Sequence, residues 1–470
     1  MKEPKLIERY LLLYIPWMLS LLFSYLPVVS FFIAWLGSFY IFYLSYSGRI
    51  KELPKDLPIA EQLMRPLFLV HVIFAGYMCI TPIFNFLDAT GLVRFDTSDT
   101  HINTVQLELI AQSQRYYCLA HAAYIMGILI FLRPQRRRFN LIIDDLPSFL
   151  MRLTLIVLIL SRAFLYFPGF VQFYFQLSAL SFIAGTLSLI YSFKAGRLEY
   201  IIISGILFSL SFIDALLSGF KEPIIVNILV LGIFLYPFYK RLVLALFVPV
   251  MIALFLLLPT YNKVFREKAW TEDESIEAAS DAAYSAISED EIESSTTWGF
   301  FTGRLSEVQM FTGFIHTTPS LNDFYGFELL SQSLDALIPR VFWPDKPNTE
   351  ELVMARVYKS GVINSNSNVS AKPALVVDGY LSGGAFGIFI TLLIFGAITQ
   401  LISLKAESLF GGYLIGTALV FTGLFQILWR GLSFEFLINS VLYSYITMLL
   451  IFMILRVLNV LRKADENHPS

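Results

Sequence analysis

The sequence predicts an all-α integral membrane protein of about 12 transmembrane helices, with both termini cytoplasmic and a large outer loop between spans 9 and 10. Three observations predict it. The 470 residues are 56% hydrophobic and only 15% charged, with a mean hydropathy of +0.67. A soluble globular chain carries roughly 25% charged residues, so this composition excludes a soluble enzyme, a disordered chain and a nucleic-acid binder. The apolar residues fall in runs of spanning length, and about 240 residues would fill twelve spans of about 20 each. The basic residues recur in every second connection, as cytoplasmic loops require.

The chain opens MKEPKLIERY and runs straight into apolar sequence with no small-residue cleavage site, so the first span is expected to be retained and not removed as a signal peptide. Between Tyr10 and Tyr46 there is no charged residue, a stretch of about 37 positions that suits two helices with a tight turn near Tyr25, Leu26 and Pro27. Further spans centre on Phe74, Met126, Val157, Phe182, Leu207, Val230 and Leu254, and after a long polar gap on Ile390, Leu419 and Met448. With the N-terminus inside, about 20 Lys and Arg lie on the cytoplasmic side against about 5 in the short outer connections. A single span over 10–46 would invert every later loop. Cys79 and Cys118 are expected to pack as small apolar residues, because two cysteines make neither a disulfide framework nor a cysteine metal site.

The expected organisation is residues 1–261 as spans 1–9, an acidic and mobile insert at 262–298, a folded outer segment at 299–372, spans 10–12 at 373–460 and a cytoplasmic tail at 461–470. Residues 271–295 carry about nine acids and no base, without calcium-loop spacing. From Trp298 the sequence becomes aromatic and mixed in charge, as a segment lying against the membrane face would be. There is no internal repeat of the kind many transporters show, and no phosphate-loop or dinucleotide motif.

A few cations break the charge pattern. Arg162, Lys221 and Arg430 sit near outer ends of spans, and Arg304, Arg340 and Lys346 lie in the outer loop. Ionisable groups at membrane depth are costly and default to functional candidates. Grouped on one face they suit an anionic ligand, since arginine grips phosphate with a bidentate fork. Asp214 and Lys221 are seven apart on an expected helix, which would return them to one face about 10.5 Å apart along the axis. Arg430 and Glu435 are five apart, which suits an interface ion pair as well as a catalytic role. Gly383 and Gly387 have the spacing of a close helix approach.

Four strings share a resemblance. IPRVFWPDKP at 338–347 resembles the outer-loop signature of bacterial oligosaccharide repeat-unit polymerases, the Wzy-like membrane proteins. LLSGFKEPIIVNIL at 216–229 looks like that family's turn before a span, with Lys221 where arginine is usual. The glycine-rich DGYLSGGAFGIFITLLIFGAI at 378–398 and WRGLSFEFL at 429–437 follow in the same order. The resemblance covers about the C-terminal half; the earlier spans match in hydropathy alone.

What the resemblance implies is a polysaccharide polymerase of the bacterial inner membrane. It would take undecaprenyl-pyrophosphate-linked repeat units at the periplasmic face, with the outer loop periplasmic. Its partners would be that lipid-linked oligosaccharide, membrane lipids and a chain-length-regulating co-polymerase; no cofactor or metal is required. The related O-antigen ligases carry His followed by Asn, Ser or Gln, whereas His316 is followed by Thr317. A ligase-type transferase and a 12-span transporter are the alternatives.

The reaction asks for two things. The leaving pyrophosphate needs preorganised cations, for which Arg340, Arg430 and Lys221 are the candidates, with Arg304 next and Lys346 and Arg162 as further binding residues. The acceptor hydroxyl needs a base within hydrogen-bond reach, and Asp345, Asp378, Glu307 and His316 are the candidates. Asp214 is expected to share a ligand with Lys221. Trp343, Tyr325 and Trp298 offer rings for stacking on sugar faces.

Overall fold

The computed structural model describes residues 6–91, 102–134, 137–167, 171–219, 221–271, 275–288, 294–303, 305–338, 343, 345–366 and 371–464. The described chain is helical apart from two three-residue strands, Phe139–Leu141 and Leu461–Lys463, which pair with each other. The expected all-α fold holds apart from this pair, and the tail expected at 461–470 begins as a strand.

Among the described residues, eight helices are long and apolar enough to cross a membrane, including Pro27–Tyr46, Pro66–Ala89, Leu198–Leu217, Leu375–Leu409 and Phe434–Val457. This is the architecture of a multi-pass membrane protein. The other four expected centres also fall in helical segments, but of a different kind. The first is broken into Leu6–Leu11, a 3-10 turn and Ile15–Leu22. Thr104–Phe131 is long but carries Glu108 and Arg115. Glu222–Leu235 and Leu414–Leu424 are shorter apolar helices.

Local chemistry sets the boundaries. Proline stands at the first or second position of Ile15–Leu22, Pro27–Tyr46, Pro82–Ala89 and Leu146–Phe164. There its missing N–H is one the helix would leave unpaired anyway. Asn103 caps Thr104–Phe131 by accepting the Gln106 N–H at 3.0 Å. Outward faces are apolar where a water-soluble helix would be polar: Ile202, Ile206, Leu210 and Ile213 of Leu198–Leu217 are all exposed.

The chain forms two compact units. The first comprises 1–57, 65–140 and 302–470. At its centre Thr104–Phe131 packs on Leu375–Leu409. The crossing is close: a methyl group added to Gly127 would lie 3.0 Å from the Gly396 Cα. This is the small-residue contact by which membrane helices associate. Cys79 and Cys118 are buried here as free thiols. Three helices of the expected outer segment, Val308–Thr317, Glu328–Leu337 and Thr349–Lys359, belong to the same unit.

The second unit comprises 58–64 and 141–301. Leu146–Phe164, Val171–Ala195 and Leu198–Leu217 pack together, with Ser188 and Ser204 hydroxyls joined at 2.8 Å. The acidic insert, expected to be mobile, contains the helix Ile276–Ser288. Ala279 and Ala283, one turn apart, are buried against Tyr261 and Phe265 of Lys240–Arg266. Glu277 and Asp281 therefore sit on a packed helix with a narrow alanine face.

Candidate functional site

In the first unit, Leu375–Leu409 is two helices in one. The chain bends at Gly383 and Gly384, and Gly384 has φ 61° and ψ −141°, a conformation side-chain-bearing residues avoid. The short arm folds back: a methyl group on Gly379 would lie 3.1 Å from the Ile388 Cα. The Gly383–Gly387 spacing therefore serves a bend within one segment, and the close approach of two helices lies elsewhere, at Gly127 and Gly396. Gly384→Ala is expected to lower stability by about 1–3 kcal/mol, the range for a forced backbone conformation. Thermal unfolding of the detergent-solubilised variant measures it, and an unchanged midpoint would remove the bend from the account.

The short arm carries Asp378, and the bend delivers it to the start of Phe434–Val457. Asp378 Oδ2 accepts the Phe434 N–H at 2.8 Å, and Glu435 stands in the first turn of the same helix. A helix N-terminus presents unpaired N–H groups and partial positive charge, which favours both carboxylates. Between them lies Arg356, from the last turn of Thr349–Lys359. Its guanidinium donates to Glu435 Oε1 at 2.6 Å, to Glu435 Oε2 at 3.0 Å and to Asp378 Oδ2 at 3.0 Å. All three side chains are buried, with at most 2% exposed. Burial works against the Arg356 charge, but the two carboxylates outweigh it and hold its pKa above the ordinary guanidinium value.

The cluster holds two carboxylates and one guanidinium, and its polar atoms are not all matched. Asp378 Oδ1, Arg356 Nε, Ser433 Oγ and the Trp429 indole N–H are buried without a hydrogen-bond partner among the described residues. Buried polar groups are nearly always paired, so the unmatched atoms of Asp378, Arg356 and Ser433, joined through the Phe434 N–H and the guanidinium, mark a place built to meet something more. Tyr325 closes one side. Its backbone N–H donates to the Leu381 carbonyl at 2.8 Å, and its ring lies 5.4 Å from the Lys359 ammonium. Burial raises the Tyr325 hydroxyl pKa, with Arg356 pulling the other way. Lys372 pairs with Glu350 at 3.2 Å and stands over the Phe436 ring.

Of the residues proposed from sequence, the structure brings Asp378 and Tyr325 together here. Arg430 is half-buried and ends the helix Gln426–Arg430, on the connection that carries Ser433. Glu435, expected beside Arg430, gives both its oxygens to Arg356. Glu307 accepts the Tyr77 hydroxyl at 2.6 Å. His316 is exposed, and its carbonyl accepts the Ser320 hydroxyl at 2.5 Å. Lys346 donates to the carbonyls of Ala336 and Ile338 at 2.5 and 3.0 Å, so it caps the end of Glu328–Leu337. Trp343 is half-buried and Asp345 exposed. Arg304 and Arg340 lie outside the described residues.

In the second unit Arg162 donates to Asp214 Oδ2 at 2.6 Å and stands over the Tyr174 ring at 5.9 Å. The expected Asp214–Lys221 face does not exist. Leu198–Leu217 ends before Lys221, which opens the next helix, and Ser218 and Gly219 turn the chain between them. The seven-residue spacing fails because it presumes one unbroken helix. The Lys221 side chain lies outside what the structure describes. Trp298 lies in Ser294–Gly303.

Sequence reasoning missed Arg356. The signal was present in TEELVMARVYK: a lone arginine among Val353, Met354 and Val357, all buried on one face of an amphipathic helix.

No curated protein and no solved structure matches this chain. A family profile described as a domain of unknown function, DUF8712, matches residues 15–463, and the chain belongs to that family.

Proposed function

We propose that the protein polymerises undecaprenyl-pyrophosphate-linked oligosaccharide repeat units at the periplasmic face of a bacterial inner membrane. The observation that carries the reading is Asp378: a buried carboxylate fixed through Oδ2 by Arg356 and the Phe434 N–H, with Oδ1 left unpartnered. A carboxylate held this way by one oxygen keeps the other as a base.

In the reaction, Asp378 Oδ1 takes the proton of the acceptor sugar hydroxyl. The hydroxyl oxygen forms its bond to the anomeric carbon of the donor as the bond from that carbon to the pyrophosphate oxygen breaks. Arg430, with Arg340 and Arg304 as expected from the sequence, would hold the charge that develops on the pyrophosphate. Tyr325 and Trp343 offer rings for sugar faces. The four strings of the resemblance and the outer-segment helices folded with the span ends support this reading over transport.

The test is reconstitution. The full chain in vesicles, given lipid-pyrophosphate-linked repeat units, should build a ladder of longer glycans. Arg430→Ala should abolish long products while the protein stays in the membrane. A normal ladder from that variant would remove Arg430 from the site, and solute uptake without any ladder would favour a transporter.

A further inference from the structure

A second set of unmatched polar atoms lies in the interior of the first unit. His71 sits in a π-helical turn, Val70–Phe74, of Pro66–Ala89, a local irregularity often found at functional positions. Its Nδ1 is 2.8 Å from Nε2 of His121 on Thr104–Phe131, and the rings are nearly perpendicular at 79°. Both are buried, His71 at 5% and His121 at 1% exposure. The far nitrogens, His71 Nε2 and His121 Nδ1, have no hydrogen-bond partner among the described residues.

Proton counting makes this pair informative. A neutral imidazole carries one N–H, so two rings hold two protons on four nitrogens. One proton lies in the shared bond and the other on one far nitrogen. The pair thus presents one unmatched donor and one unmatched acceptor in either tautomer. A histidine kept for packing would turn both nitrogens to a carbonyl, carboxylate or ordered water. Here the two arrangements differ only by where the protons sit.

The column continues in both directions. Tyr117 and Gln114 lie four and seven residues before His121, on the same face of the helix. Both are fully buried, and Tyr117 Oη and Gln114 Oε1 also lack partners among the described residues. Beyond them, Tyr77 donates its hydroxyl to the half-buried Glu307 at 2.6 Å. In the other direction, Arg65 precedes His71 by six residues, about 9 Å of helix rise. Arg65 binds Asp56 through both guanidinium termini, at 2.9 and 2.5 Å, and the Asp56 side chain is 39% exposed. The titratable ring against His71 is Tyr46, at 6.3 Å beside Phe42, and the Cys79 thiol donates to the Tyr117 carbonyl at 3.6 Å.

We propose that this column is a proton-transfer path, with the His71–His121 pair as its relay and Asp56 and Glu307 as its partly exposed ends. A proton arriving at the bare far nitrogen of one ring forms an N–H bond there. The shared proton crosses to the other ring, and that ring's far N–H gives up its proton to the next group. Protons and charge balance: N–H bonds form and break on the two rings and O–H bonds on Tyr117 and the end carboxylates, while Arg65 keeps its protons and only holds Asp56 in place. Histidine and carboxylate chains through membrane helices carry protons in this way. The inference stands apart from the glycan reading, because it uses no sugar and no residue of the Arg356 cluster.

The test uses the full chain in vesicles with a trapped pH dye and a potassium diffusion potential, without glycan substrate. The wild-type protein should admit protons faster than protein-free vesicles. Tyr117→Phe, which keeps the ring and removes only the hydroxyl, should cut the excess flux at least tenfold, as should His121→Gln. Wild-type flux no greater than that of empty vesicles, or full flux in Tyr117→Phe, would overturn the proposal. Nitrogen-15 imidazole spectra of the wild-type chain give a measurement that needs no variant. A coupling between ring nitrogens of two histidines supports the shared proton, and its absence overturns the relay.

Discussion

Replacing Arg356 by alanine should destabilise the protein by about 3–5 kcal/mol, because removing one partner of a buried ion cluster strands the charges left behind. Asp378 and Glu435 are both fully buried and both depend on Arg356 for charge compensation. The N-terminus of Phe434–Val457 offsets only part of that loss, through the N–H at Phe434 and the helix dipole. The helix Thr349–Lys359 would also lose its polar tie to the two spans. Thermal unfolding in detergent, read by tryptophan fluorescence, should show an earlier transition. Chain elongation should vanish with it. An Arg356→Ala protein as stable as wild type would mean that the buried ion cluster contributes nothing to the fold.

Asp378→Asn separates catalysis from stability. The amide oxygen can take the place of Oδ2, keeping the bonds from Arg356 and the Phe434 N–H, while the amide nitrogen takes the unpartnered position. The variant also reduces two carboxylates around one guanidinium to one, so electrostatics give no reason for a large loss of stability. Chemistry is another matter, since an amide accepts no proton from a hydroxyl. General base catalysis typically supplies a factor of about 100 to 10,000, and elongation should fall by that much. Elongation within a few-fold of wild type would remove Asp378 as the base.

Eight of the expected spans were legible because composition and run length report directly on a bilayer. The tight turn after Leu22, the break before Lys240 and the last span at Phe434–Val457 all follow from apolar runs and prolines. The site was legible in part. Asp378 stood out as a carboxylate at the mouth of a span, but Arg356 did not. A charge count by loop treats loop cations as solvated, whereas this one is buried by a segment that folds back onto the span ends. Its partners lie 22 and 79 residues away in sequence, and no local spacing encodes such pairs. Asp214 shows the converse error. A helical spacing tied it to Lys221, yet its partner is Arg162, 52 residues earlier, because a turn interrupts the expected helix.

The acidic insert fell between these cases. Its charge pattern pointed to solvent, and its alanines at 279 and 283 gave a face narrow enough to pack on Lys240–Arg266. Alanine carries little hydropathy signal, so that face is easily read as loop.

The central claim is that the Arg356, Asp378 and Glu435 cluster performs chemistry and is not only a fastening between helices. The most direct measurement replaces all three together, as Arg356→Met, Asp378→Leu and Glu435→Met. Exchanging a whole buried ion cluster for apolar residues of similar volume is often neutral or stabilising, so the triple variant should unfold at or above the wild-type temperature. With lipid-pyrophosphate-linked repeat units in vesicles, it should make no glycan ladder. A well-folded triple variant that elongates chains at the wild-type rate would contradict the account.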